Sequence, residues 1–279
     1  MGTQFDVSFK AAITELRLID ARLTVLNSLV DRSKINIEVD QTIGNELHTV
    51  GFAFRDITLD IGTDNLFMPT DTYTLNRLNF SDEIGLILSR ECLFQVAQSY
   101  EILETYLYNQ VADYIRLNTN LQLPNDFNPQ MDFQNIRKAL KRVKDRVNNR
   151  HLIDILRTNN TIFQAYEVNN IYNLNFKEWL DMFSETRHSI THYRMKLNNY
   201  LKDEIPDCFN NYFKIKVVED EEYIFTGVND CKEFLHILAG YVFFIYKSVT
   251  DGTFGTKTKF STISHVFHDP YYNSPIIEN

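Results

Sequence analysis

The chain has 279 residues, 44% hydrophobic and 23% charged, enough to bury a substantial core in the manner of a globular protein. A net charge of −9 excludes a surface that coats nucleic acid over its whole extent, because such affinity is largely phosphate neutralisation. Cys92, Cys208 and Cys231 are an odd number with no close pair, which argues against a disulfide framework, and nine Gly and six Pro favour long helices.

The opening MGTQFDVSFK has neither a basic region nor an apolar run. The longest apolar stretch, from Leu235 to Ile245, is too short to cross a bilayer. A cytoplasmic protein without membrane contact is expected.

In chain order, Phe9, Ile13, Leu16, Ile19, Leu23, Leu26 and Val30 recur at helical spacing. Ile35, Ile37 and Val39 then alternate, as do Val50, Phe52 and Phe54, followed by ITLDIG, so a small β-containing layer is expected. NLFMPTDT reads as a boundary loop, and residues 1–75 as an N-terminal α+β elaboration. A long helix follows. Ser81 is its expected cap, Asp82 and Glu83 suit its first turn, and Leu86, Leu93, Tyr100, Leu107 and Tyr114 repeat every seven residues. It is expected to end near Arg116.

Asn128-Pro129 opens the next predicted helix, with Phe133, Ile136, Leu140, Val143 and Val147 on its core stripe. Residues 137–150, RKALKRVKDRVNNR, hold seven Lys or Arg against one Asp, a local +6 that leaves −15 on the remainder. RNA contact is therefore expected to be local, through Arg137, Lys138, Lys141 and Arg142; the alternative is a solvated charged face. A short helical segment spans Leu152 to Leu156, and a further helix is predicted from Phe176 to Leu201. FKIKVVEDEEYIFTG reads as a β-hairpin around an acidic turn, and a last helix as Asp230 to Lys247. Residues 76–250 thus form a helical domain, with 251–279 as a tail. The fold class is mainly α, a helical bundle carrying a small N-terminal α+β region and a hairpin insertion.

The stripe of the helix from Phe176 is interrupted. Phe176, Leu180, Phe183, Ile190, Leu197 and Leu201 share it with Arg187 and Arg194, and a guanidinium on a core-facing stripe needs a carboxylate, an anionic ligand or water. His188 and His192 stand four residues apart on one side of the helix.

Arg187-His188-Ser189-Ile190-Thr191-His192, on a late helix behind a long first one, resembles the motif of the HEPN family, whose active members carry Arg, a polar residue, about three further residues and His. The resemblance covers residues 76–250. It implies metal-independent RNA cleavage by a homodimer, with no cofactor and with two motifs facing each other. His192 would move protons near neutral pH, Arg187 would offset charge on the phosphate, and His188 would orient the phosphate or carry a second proton. The products would be a 2′,3′-cyclic phosphate and a 5′-hydroxyl. Glu104, on the core side of the long helix, is a candidate partner of Arg187, the alternative being a glutamate at the solvent edge.

The resemblance is also compatible with a toxin or defence effector, for which the partner would be an antitoxin or another defence-system component. In some of the family's toxins the antitoxin modifies a Tyr two residues after the His, but here that position is Arg194 and the neighbouring residue is Tyr193, so that regulation is not implied. Two alternatives stand beside this reading. One is a zinc site built from His188 and His192 with Cys208 or the His265/His268 pair, though the segment lacks the Glu that zinc peptidases use as base. The other is a non-catalytic HEPN-like module for dimerisation or scaffolding.

Overall fold

A computed structural model describes residues 4–39, 45–51, 54–55, 66–67, 72–123, 132–143, 149–255 and 257–258. The protein is mainly helical. Helix α1 (Gln4–Val39) is longer than the periodicity predicts. Its buried stripe, Phe5, Phe9, Ala12, Leu16, Ile19 and Leu23, advances in steps of four and three. Beyond Leu23 the helix leaves the core, and Val25, Leu29 and Ile35 are exposed. The alternation at Ile35, Ile37 and Val39 therefore belongs to a projecting helix, not to a strand.

The expected β layer is present in part. Strand β1 (Glu46–Gly51) pairs antiparallel with β4 (Thr72–Asn76), and β2 (Phe54–Arg55) with β3 (Leu66–Phe67). The predicted boundary loop NLFMPTDT thus contributes residues to β3 and β4; its residues 65 and 68–71, and the whole of ITLDIG, lie outside the described residues.

Helix α2 (Phe80–Leu117) is the centre of the fold and lies against α1, α3, α4, α6 and α8. Its cap residue is Asn79, two positions before the expected Ser81. Leu93, Tyr100, Leu107 and Tyr114 are buried as the seven-residue repeat predicts, while Leu86 is only half-buried. The side-chain amide of Gln110 donates to the Phe5 carbonyl at 3.0 Å and to Ser8 Oγ at 2.8 Å, tying α2 to α1. Tyr106 Oη donates to the Val242 carbonyl at 2.8 Å, tying α2 to α8 (Val228–Phe254). These three helices share one hydrophobic core, so the first part of residues 1–75 is integral to the bundle.

Helix α3 (Phe133–Arg142) is capped by Asp132, which accepts from the Asn135 amide at 2.9 Å. Ile136 and Leu140 are its buried residues; Asn128, Pro129 and Val147 lie outside the described residues. Helix α4 (Arg150–Asn159) is followed at once by α5 (Thr161–Val168). Buried Asn160 forms the joint: its side-chain oxygen accepts from the amides of Ile162 and Phe163, and its amide group donates to the Ser248 carbonyl of α8.

Helix α6 (Phe176–His192) is shorter than predicted. Arg194 and Met195 adopt left-handed backbone angles, φ 55° and 70°, and the amides of Tyr193 and Met195 both reach the Ser189 carbonyl. The chain then turns along the hairpin of β5 (Lys214–Val218) and β6 (Glu221–Phe225), where Leu197 N donates to the Glu222 carbonyl and Ile224 N to that of Met195. Leu197 and Leu201 are buried, but by this return path and by the short helix α7 (Asn199–Asp203). The hairpin itself is as predicted. Its acidic turn places Glu219 and Asp220 at φ 51° and 61°, the left-handed pair that suits a two-residue hairpin.

Helix α8 runs seven residues past the expected Lys247 and stops at Gly255, φ 64°, whose amide donates to the Asp251 carbonyl. Residues 251–254 of the expected tail are thus helical, and 259–279 lie outside the described residues. Among the described residues no helix is long and apolar enough to cross a membrane.

Candidate functional site

Helix α6 has two distinct halves. Trp179 and Phe183 are fully buried in its first half, among Phe176, Phe234 and Tyr241, with ring centroids 4.6–6.3 Å apart. This aromatic cluster fixes the helix against α8. The second half crosses α2 at Tyr100, whose ring stands edge-on to Phe183 at 5.0 Å and whose hydroxyl donates to Ser184 Oγ at 3.3 Å. Asn149, which precedes α4, donates to the same hydroxyl at 3.1 Å. Burial pushes the Tyr100 phenol above its ordinary pKa, so the ring is a neutral platform.

Arg187 lies one turn beyond that crossing. Its Nε donates to Glu101 Oε1 at 3.1 Å, Nη2 donates to the same oxygen, and its guanidinium carbon is 5.8 Å from the centre of the Tyr100 ring. Of the two roles open to Glu104, the pairing with Arg187 is not made: Arg187 meets Glu101, three positions earlier. Glu104 instead lines a small cleft of about 180 Å³ with Thr105, Tyr108, Arg137 and Lys141, facing α3. The physical reason is the crossing point. Tyr100 and Phe183 set the level at which α6 meets α2, and the next turn of α6 reaches residue 101. The Arg187 side chain is 29% exposed and that of Glu101 52%, so the pair stands in contact with water.

His188 and His192 are exposed, with ring centroids 4.6 Å apart. His192 is the last residue of α6, and the Tyr193 ring stands 5.5 Å from His188. Arg194, expected on the core stripe, is exposed because the helix has ended before it. The patch is therefore Arg187, His188 and His192 at the open end of a helix anchored from its other end.

The basic helix adjoins it through α2. Arg137 and Lys141 face the cleft, with Lys141 Nζ 5.5 Å above the Tyr108 ring, while Lys138 and Arg142 are exposed. Residues 101 and 108 of α2 are separated by about 10 Å at 1.5 Å rise per residue, so the Arg187 patch and the basic cleft are neighbours. Arg150, from the same basic run, is already paired: its Nε and Nη2 donate to the Asp181 carboxylate at 2.9 and 2.5 Å.

Among the described residues no group of three or more His, Cys, Asp or Glu is arranged to hold a metal ion. Cys208 lies under the influence of Glu178 in the first turn of α6, about 15 Å along the helix from His188 at 1.5 Å per residue. Burial pushes its thiol up to about 11. His265 and His268 lie outside the described residues.

Sequence reasoning missed Glu101 and the Tyr100 platform. Tyr100 carried a signal as a core position of the seven-residue repeat, but a phenol on such a stripe reads first as packing. No protein-family model matches the chain, and no curated protein or solved structure matches it either.

Proposed function

We propose that the chain is a metal-independent endoribonuclease of the HEPN type, with Arg187, His188 and His192 as its reactive groups. The observation that carries this reading is a partly exposed guanidinium on the same helix end as two exposed, adjacent imidazoles of α6. One imidazole accepts the proton of the 2′-hydroxyl, the 2′-oxygen attacks phosphorus, and the 5′-oxygen leaves with a proton from the other. Arg187 offsets the charge that grows on the phosphate. Its Nε and Nη2 are directed by Glu101, which leaves Nη1 outside that pair. Glu101 and Tyr100 therefore act as positioning residues. Glu104 is assigned to the basic cleft. By analogy of chemistry alone, the protein is a toxin or defence effector held in check by a partner.

The test is cleavage of single-stranded RNA by the purified protein. Cleavage should persist in EDTA, yield 2′,3′-cyclic phosphate ends and come from a homodimer, because a composite site needs two motifs. Chelator-sensitive cleavage, or full activity from a particle near 33 kDa by light scattering, opposes the proposal.

The basic cleft gives a second expected result. Replacing Arg137, Lys138, Lys141 and Arg142 by Ser should weaken RNA affinity and flatten its dependence on salt, since each lost phosphate contact removes released counterions. An unchanged salt slope assigns α3 to a solvated face.

One observation favours a second reading. The Arg187–Glu101 pair bridges α6 and α2, as a helix-fixing contact does. Under that reading the segment is a non-catalytic dimerisation module, and RNA is not cleaved.

A further inference from the structure

At the other end of α6 the protein carries a cavity of about 640 Å³, within the 300–1,000 Å³ range typical of small-molecule sites. Its walls are aromatic, formed by Phe9 of α1, Tyr166 of α5, Tyr172, Phe176, and Phe243 and Phe244 of α8. Gly240 opens the floor. A Cβ placed there would meet only the Tyr172 ring, at 3.9 Å, an ordinary contact, so the wall at Gly240 has open space into which a larger side chain would project. Ile171, which also lines the cavity, is 88% exposed and faces water.

Among the described residues that line the cavity, Lys247 is the one cation. It is half-buried, with Nζ 4.6 Å above the centre of the Tyr166 ring. The nearby carboxylates are engaged elsewhere. Asp251, one turn beyond Lys247 on α8, accepts from the Thr258 amide at 2.7 Å, Glu167 of α5 holds Arg157 through two bonds of 2.6 and 2.7 Å, and Asp6 of α1 accepts from Tyr246 Oη at 2.6 Å. Among the described residues no carboxylate forms an ion pair with Lys247. A partly desolvated ammonium against aromatic walls favours an anion that brings its own apolar body.

We infer that this cavity binds an amphipathic monocarboxylate, with its alkyl or aryl body among the aromatic rings and its carboxylate on Lys247. The size, the apolar walls and the single fixed charge favour such a ligand over a nucleotide, whose several negative charges need more than one cation. The inference is independent of RNA cleavage, since the cavity shares no residue with the Arg187 patch.

The experiment is calorimetric titration of the full chain with decanoate and with its neutral twin, decanamide. Decanoate should bind at one site per chain, about tenfold or more tighter than the amide, in keeping with a charge-assisted bond. Lys247→Met should abolish the preference for the acid. Gly240→Leu should block both ligands, with Gly240→Ala as the smaller filling. If Gly240→Leu fails to fold, Lys247→Met still decides, because that side chain is only half-buried. Absence of saturable decanoate binding, equal binding of acid and amide by the wild type, or an acid preference that survives Lys247→Met overturns the assignment.

Discussion

Alanine in place of Arg187 or His192 is expected to lower cleavage of single-stranded RNA about a hundredfold or more, the usual scale for losing a charge-stabilising donor or a proton carrier. The two losses should differ in kind. Removing Arg187 deletes a fixed charge, and Lys restores the charge without the planar fork, so Arg187→Lys should recover only part of the rate. Removing His192 deletes the proposed proton carrier, so the residual activity should lose part of its pH dependence. His188→Ala separates the two tasks considered for it. A second proton carrier gives a loss like that of His192, whereas an orienting group chiefly weakens substrate binding. Glu101→Ala leaves the reactive groups in place and releases the guanidinium, so its defect should be smaller than that of Arg187→Ala. Equal cleavage by wild type, Arg187→Ala and His192→Ala removes the ribonuclease assignment from this motif.

What was legible in the sequence follows the range of the interactions. His188 and His192 meet because they are four residues apart on one helix, a relation that spacing alone fixes. The hairpin was equally legible, since alternation and an acidic turn are local. Arg187 and Glu101 are 86 residues apart, and which carboxylate of α2 faces the guanidinium depends on where two helices cross. That level is set by Tyr100 against Phe183, a tertiary contact with no local signature.

The end of α6 was hidden for a related reason. Leu197 and Leu201 continue the helical period and are buried, so the stripe persists after the helix has stopped. The stopping signal was Asn198, which caps α7 by accepting from the Leu201 amide at 2.9 Å and donates to the Glu185 carboxylate at 2.8 Å. On α1 the error ran the other way. Alternating Ile35, Ile37 and Val39 suggested a strand, yet these residues continue a helix whose far end has left the core. Period-two patterning marks a strand only where one face is buried, and Ile35 is 59% exposed.

Trp179→Ala is expected to destabilise the protein by about 3–5 kcal/mol, the range for deleting a large aromatic side chain from a close-packed core. Trp179 is fully buried, and Phe234 stacks on it at 5.0 Å while Phe183 lies 5.4 Å away. Neither neighbour can fill the space without leaving its own contacts. Trp179→Phe keeps most of the volume and should recover a large part of the loss. Arg187→Ala, on the same helix, should cost less than about 1 kcal/mol, because its ion pair with Glu101 stands in contact with water and exposed pairs contribute little. Urea unfolding of the three variants measures this gradient along α6. A steep gradient means that the helix is held by its first half, leaving the second half to contribute through chemistry. If Arg187→Ala instead destabilises the fold by several kcal/mol, with a matching defect in Glu101→Ala and non-additivity in the double variant, the pair is a structural joint between α6 and α2. The scaffold reading then takes the place of the enzymatic one.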